Sequence, residues 1–314
     1  MLRHRLLHLA IFIAGLTLFL AAPVNAALLM HLPLDNNLND ISGNGNNASM
    51  PGGGSNPSYT TAVFSQGLSF DGNNDFITVP SFNPGPTFSV SLWVNHDNIG
   101  ALNSFIEHAN NGNNRNDFYI GYDNSNNSLT VELEDTNSTE GGACGDPKFC
   151  TGIVLNDARW YHLVVTVTPT TLKVYVDTVL AYDVTHSTTV NFTNGSWLLG
   201  GDTDNGSVTS ANNDYLDGRI DEVRIYNHEL TQTEISNLYG LVANWTLDDC
   251  SIAATGDIKD GSGNNLHATP FNGVTTTTGR ICTALSLDGT DDYAEVADNA
   301  LLDLSQSLTV MTWI

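Results

Sequence analysis

Short stretches in which apolar and polar residues alternate recur along this chain. Phe88-Ser-Val-Ser-Leu-Trp-Val94, Leu163-Val-Val-Thr-Val167 and Leu172-Lys-Val-Tyr-Val176 are of this kind, with clusters of Gly, Asn, Asp and Ser between them. A side-chain period of two puts alternate residues on one face, so these runs predict antiparallel strands turned to a core on one side. Many short strands with few helical patterns between them predict an all-β, two-sheet antiparallel sandwich. One helix is expected: Thr231-Gln-Thr-Glu234 is a capping box, Ile235 and Leu238 fall on one face, and Gly240 supplies the stop.

The pattern also repeats. Asp40-Ile-Ser-Gly-Asn44 returns as Asp260-Gly-Ser-Gly-Asn264, Leu68-Ser-Phe-Asp-Gly72 as Leu285-Ser-Leu-Asp-Gly289, and Trp93 as Trp313. The matches keep their order at an offset of roughly 220 residues, a period that marks tandem whole domains rather than a solenoid. This predicts a first domain over 27–240 and the N-terminal part of a second, truncated copy over 241–314, with further sequence expected after Ile314.

Ahead of both copies, Arg3 and Arg5 precede an apolar run from Leu6 to Leu20, and the segment closes on Pro23-Val-Asn-Ala26. A basic start, a short apolar run and small residues at the cleavage positions describe a secretory signal peptide over 1–26. The run is too short for a comfortable membrane span, and no second apolar stretch approaches that length. The expectation is an exported protein at the cell surface or outside the cell, with the periplasm also open.

Composition sharpens this picture. The net charge is −24, with 34 acidic against 10 basic residues. Such a surface repels nucleic-acid phosphates and anionic headgroups, which argues against both as partners, and it is compatible with cations. The 41% hydrophobic content supplies a packed core rather than a disordered chain. Four cysteines, Cys144, Cys150, Cys250 and Cys282, lack zinc-ligand spacing, so disulfides are expected in an oxidising compartment. Three pairings are possible. Local pairing, Cys144 with Cys150 and Cys250 with Cys282, is favoured.

The motifs resemble a known family. Asp40-x-Ser-Gly-Asn44-Gly, Leu68-x-Phe-Asp-Gly72-x-x-Asp75, Trp160-Tyr-His162, Leu172-Lys-Val-Tyr-Val-Asp177 and Gly218-Arg-Ile-Asp-Glu-Val-Arg-Ile-Tyr-Asn227 are similar to those of the LamG-like (laminin G, concanavalin A-like) jelly-roll domains. The resemblance runs over roughly 28–240 and implies that fold. Thr178 departs from it, standing where the family turns on Gly. In the second copy, Leu247-Asp-x-Cys250, Asp260-x-Ser-Gly-Asn264-x-x-His267, Gly279-x-x-Cys282 and Asp288-Gly-x-x-Asp292-Tyr293 resemble LamG domains of large bacterial surface proteins similar to biogenesis factors of the mannose-sensitive haemagglutinin pilus. That likeness implies a Cys250–Cys282 disulfide and an adhesion or surface-assembly setting.

The chemistry the residues suggest is calcium binding. In Asp40-x-Ser-Gly-Asn44 a carboxylate, an amide oxygen and turn carbonyls can converge on a hard cation. The family resemblance adds Asp221, giving the set Asp40, Asn44 and Asp221; the competing reading is a side-chain-capped turn. Asp71 and Asp75 form a weaker candidate. Asp202-Thr-Asp204 echoes a calcium loop but lacks its closing glutamate.

No catalytic residues are expected. Glu132 and Glu134 share a strand face, but with Leu133 between them in place of a central carboxylate they do not make the paired-carboxylate pattern of a glycosidase. Nucleophile-elbow and zinc-protease motifs are absent from the sequence. Trp197, Tyr122 and Tyr215 beside polar turns are candidate ligand platforms or core. The function expected is a non-catalytic binding or adhesion module for glycans or surface proteins. The alternative is a carbohydrate-binding accessory region of a polysaccharide-degrading enzyme.

Overall fold

The structure is a computed structural model that describes residues 27–51, 56–97, 103–110, 115–134, 148–190, 192, 195–202, 215–240, 242–245, 247, 258–260, 262, 264–279, 283–299, 302, 310 and 312. The expected signal peptide, Cys144, Cys250, Cys282, Asp204 and Trp313 lie outside these residues.

In chain order the first eight strands are β1 (Leu28–Leu32), β2 (Ser58–Thr61), β3 (Gln66–Asp71), β4 (Ile77–Val79), β5 (Phe88–His96), β6 (Asn103–Asn110), β7 (Arg115–Asp123) and β8 (Ser128–Leu133). They are followed by β9 (Lys148–Cys150), β10 (Tyr161–Val167), β11 (Thr171–Val176), β12 (Val179–Thr185), β13 (Gly195–Leu199), β14 (Asp217–Tyr226) and the helix α1 (Gln232–Tyr239). The region after the helix adds β15 (Ala268–Phe271), β16 (Thr275–Thr278), β17 (Thr283–Ser286) and β18 (Tyr293–Val296).

Two antiparallel sheets face each other. One runs β12-β11-β10-β5-β14-β3-β2, with β1 pairing the second half of β14; the other runs β4-β13-β6-β7-β8-β9. The alternating runs supply the filling between them: Phe88, Val90, Leu92 and Val94 from β5, Leu163, Val165 and Val167 from β10, and Phe118, Ile120 and Tyr122 from β7. Trp197 is fully buried there, stacked on Phe82 and Phe192 and meeting Phe118 and His108 edge-on. The all-β sandwich predicted from the period-two pattern is the fold.

The helix begins as its sequence dictates. Thr231 accepts the Glu234 N–H, the Glu234 carboxylate accepts from the Thr231 backbone and hydroxyl, and Gly240 closes the end at φ 81°. Ile235 packs with Val164, Tyr175 and Leu230 on the outside of the first sheet. At the β11–β12 hairpin, Asp177 (φ 49°) and Thr178 (φ 75°) both take left-handed backbone, the geometry of a two-residue type I′ turn. The departure at Thr178 therefore leaves the turn in place and puts a β-branched residue in a disfavoured region. After the helix, β15 pairs β18 and β16 pairs β17 around Ile258, Ala268 and Val274. Among the described residues no helix is long and apolar enough to cross a membrane.

Candidate functional sites

The Asp40 turn is a hydrogen-bond hub. One carboxylate oxygen accepts the backbone N–H groups of His31 (2.9 Å) and Ser42 (2.8 Å); the other accepts the Asn46 N–H and the Ser42 hydroxyl, both at 2.9 Å. Partial burial pushes Asp40 upward, but these bonds outweigh it and hold the carboxyl below its ordinary value. Asn44 directs its amide NH2 to the carbonyls of Leu28 and Leu29.

The recurrence of the motif at Asp260 builds the same object. Asp260 accepts from the Asn244, Ser262 and Leu266 N–H groups and the Ser262 hydroxyl, and Asn264 donates to the Val242 carbonyl. Four donors on each carboxylate use the oxygens a cation would need. The repeated Asp-x-Ser-Gly-Asn motif is thus a capped turn that anchors the first strand. These bonds are what the capped-turn reading of Asp40 and Asn44 expects.

Asp221 is different. It sits at a bulge in β14: Asp221 pairs Trp93 and Arg224 pairs Ser91, so two β14 residues oppose Leu92 alone, and Glu222 takes φ 54°. Asp221 is fully buried, its Oδ2 accepts the Phe64 N–H at 2.9 Å, and its Oδ1 has no hydrogen-bond partner. Burial pushes its carboxyl up to about 7, and the charges of Glu222 and Asp35 add to the effect.

The same tight turn between β2 and β3 that donates Phe64 N–H to Asp221 donates Gln66 N–H to Asp35 at 2.9 Å. Leu34, Asn36 and Ser65 around it, like Glu222, are non-glycine residues with φ between 57° and 63° or close to it. Glu222 pairs with Arg224 and, at 2.9 Å, with His31. A buried carboxylate oxygen without a donor, a second carboxylate held by the same turn and oxygen-only chemistry fit a hard cation. Asp35 was missed in the sequence, although Leu-Asp recurs there as Leu34-Asp35 and Leu247-Asp248.

The outer face of the six-stranded sheet carries a transverse polar row. Registers align Thr78, Leu198, Glu107, Tyr119, Glu132 and Lys148 across β4, β13, β6, β7, β8 and β9. Leu129, Val131 and Leu133 point into the core, so Thr130, Glu132 and Glu134 face outward by alternation. The Lys148 ammonium lies 2.9 Å from Glu132 and 3.6 Å from Asp123. A Cβ on Gly121 would meet the Tyr119 hydroxyl at 2.0 Å, so the tyrosine ring lies across a position only glycine leaves open. Phe76, Leu198 and Ala109 form an apolar patch beside it, with Tyr215 packed on them. Of the candidate platforms, Trp197 and Tyr122 belong to the core and Tyr215 to this face. Cys150 at the end of β9 is disulfide-bonded.

Comparison with known proteins places the fold. The concanavalin A-like lectin/glucanases superfamily matches residues 71–236. Domain 4 of AbnA, an extracellular GH43 arabinanase from Geobacillus stearothermophilus solved with arabinotriose, superposes at a TM-score of 0.52 and 23% identity, covering 68% of this chain and 98% of that one. The binding domain of Paraclostridial Mosquitocidal Protein 1 gives 0.51 at 15% identity, covering 81% and 61%. The binding domain of botulinum neurotoxin DC, in complex with SialylT, gives 0.50 at 17% identity, covering 68% and 51%. No curated protein matches the chain. At these identities the likeness to solved structures is one of fold.

Proposed function

The chain belongs to the concanavalin A-like lectin/glucanases superfamily, and from that footing we propose that it is a non-catalytic glycan-binding module of an exported protein, stabilised by calcium. The observation that carries the reading is the polar row on the six-stranded sheet. Tyr119 lies across Gly121 with Glu107 and Glu132 in register on either side. Tyr119 and Glu107 are themselves buried, at 6% and 0% exposure, so they back the row. The Glu132 carboxylate at its open end is the group that can accept hydrogen bonds from a sugar's hydroxyls. Glu132 and Lys148 form the more open end of the row, with 16% and 26% of their side chains exposed.

Glu132 is committed to Lys148 and Leu133 to the core, which supports binding over hydrolysis. Calcium would be held by Asp221 and Asp35, with the β2–β3 turn between them; its contribution is to offset their charge and fix that turn and the β14 bulge. Cys144–Cys150 and Cys250–Cys282 disulfides and an adhesion setting belong to the same proposal.

A second reading, an accessory region of a polysaccharide-degrading enzyme, is favoured by the likeness to domain 4 of the arabinanase, which that structure shows with arabinotriose. The test is a glycan array probed with the full chain, wild type and Glu132→Gln, in calcium and in chelator. Binding of defined glycans that weakens in the variant is expected; binding to protein partners alone would overturn the proposal.

A further inference from the structure

The open end of the polar row has a charge pattern that bears on which glycans it can take. Tyr122 and Phe149 point into the core, so Asp123 at the end of β7 and Lys148 at the start of β9 face outward with Glu132 and Glu134. Among the described side chains of the six-stranded sheet, Lys148 is the one lysine or arginine. Its ammonium is already engaged, 2.9 Å from Glu132 and 3.6 Å from Asp123. Two carboxylates therefore share one cation, and Glu134 adds a further acidic group two residues beyond Glu132.

The Lys148–Asp123 contact is firmly ionic. Burial opposes the Lys148 charge, but the Glu132 and Asp123 carboxylates outweigh it and hold the ammonium above its ordinary value. Burial likewise opposes the Asp123 charge, and the bonds from Ser125, the Lys148 charge and the Asn126 amide outweigh it and hold that carboxyl below its ordinary value. The wider field has the same sign: from Asn103 to Cys150 the sequence carries eight Asp and Glu residues against Arg115 and Lys148. Arg115 opens β7 four residues before Tyr119, about 13 Å along the strand from the row.

A carboxylate or sulfate on a sugar could pair with Lys148 only by displacing Glu132 or Asp123, and would then lie against the carboxylate it had displaced. The hydroxyls of an uncharged sugar donate to Glu132 with no such exchange. We propose that the Asp123–Glu132–Lys148 corner selects neutral glycans and rejects acidic ones, so that the ligand class is an uncharged polysaccharide and not a sialylated, uronate or sulfated one. The inference rests on the glycan-binding reading of this face and narrows it.

The experiment is a glycan array printed in matched pairs, each neutral glycan beside its sialylated, uronic-acid or sulfated counterpart. The full chain is applied at about 0.1 M and about 1 M salt, between which the screening length falls from about 10 Å to about 3 Å. Wild type is expected to bind the neutral members at least about tenfold more tightly at low salt, with the gap closing at high salt. Asp123→Asn, which keeps an acceptor for the Ser125 N–H, and Glu132→Gln are the variants, and circular dichroism verifies their fold. Each should narrow the neutral-to-acidic ratio by about threefold or more, even where Glu132→Gln weakens both members of a pair. Acidic members bound as tightly as their neutral partners, or a ratio unmoved by salt and by both variants, would overturn the proposal and leave glycan binding standing. Binding to no glycan on the array would overturn both.

Discussion

Replacing Asp221 by asparagine isolates the cost of burying a carboxylate beside Asp35 and Glu222. Its carboxyl is raised from 3.8 to about 7 in the folded protein. A raised carboxyl favours the folded state at low pH; the benefit is complete below about pH 4 and is lost as pH rises through 7. At 1.36 kcal/mol per unit, the metal-free protein loses about 4 kcal/mol by pH 8. The isosteric amide does not ionise and can still accept the Phe64 N–H. In chelator at pH 8, Asp221→Asn is therefore expected to be more stable than wild type by about 4 kcal/mol, or about 8–16 °C in Tm for a domain of this size.

His162 works in the opposite direction. Burial, with the Arg224 charge adding, lowers it to about 3, so it weakens the fold as pH falls below its unfolded value. The difference between wild type and variant removes that contribution. Thermal unfolding from pH 4.5 to 8.5 in chelator, repeated in millimolar calcium, gives the answer. Calcium should raise the wild type at pH 8 by more than it raises the variant. Parallel pH curves in chelator, or equal calcium shifts in both proteins, would refute the reasoning.

Other consequences are simpler to check. Thr178→Gly removes a β-branched residue from φ 75° and should stabilise the hairpin by up to about 1 kcal/mol, after allowing for glycine's greater freedom when unfolded; a loss of stability in urea unfolding would contradict the type I′ geometry. Asp40→Ala strips four donors of their acceptor and should cost about 2–3 kcal/mol by the same urea assay. That loss should be the same with and without calcium, because the Asp40 oxygens are taken by donors; a calcium-dependent loss would put Asp40 in the metal set. Thr231→Ala breaks the capping box and should cost about 1 kcal/mol, read as the same shift in denaturant midpoint energy.

Much of the fold could be read from alternation alone, because the core residues of β5, β10 and β11 lie at strict period-two spacing and the capping box of α1 is a local signal. The sites were harder. Asp40 read as a cation ligand or as a turn cap, because carboxylate, hydroxyl and amide cluster in its turn, and sequence does not say that backbone N–H groups meet its carboxylate. Asp221 was reached through family resemblance, yet its partner Asp35 lies far away in sequence and is brought close by the β2–β3 turn. A bulge at Glu222 aims Asp221, and nothing in Ile-Asp-Glu-Val marks a bulge. Trp197 read equally as platform or core, since Gly-Ser-Trp-Leu-Leu alternates without showing which face is inward; only the second sheet decides that. The row from Leu198 to Lys148 joins five strands and has no local signature at all.

The central claim is glycan binding without catalysis, and retention of the full chain on immobilised polysaccharides, with reducing ends assayed in the same eluate, tests it most directly. The account predicts retention that weakens in Glu132→Gln, with no reducing ends released. Either an absence of retention on every polysaccharide or a steady release of reducing ends would contradict it.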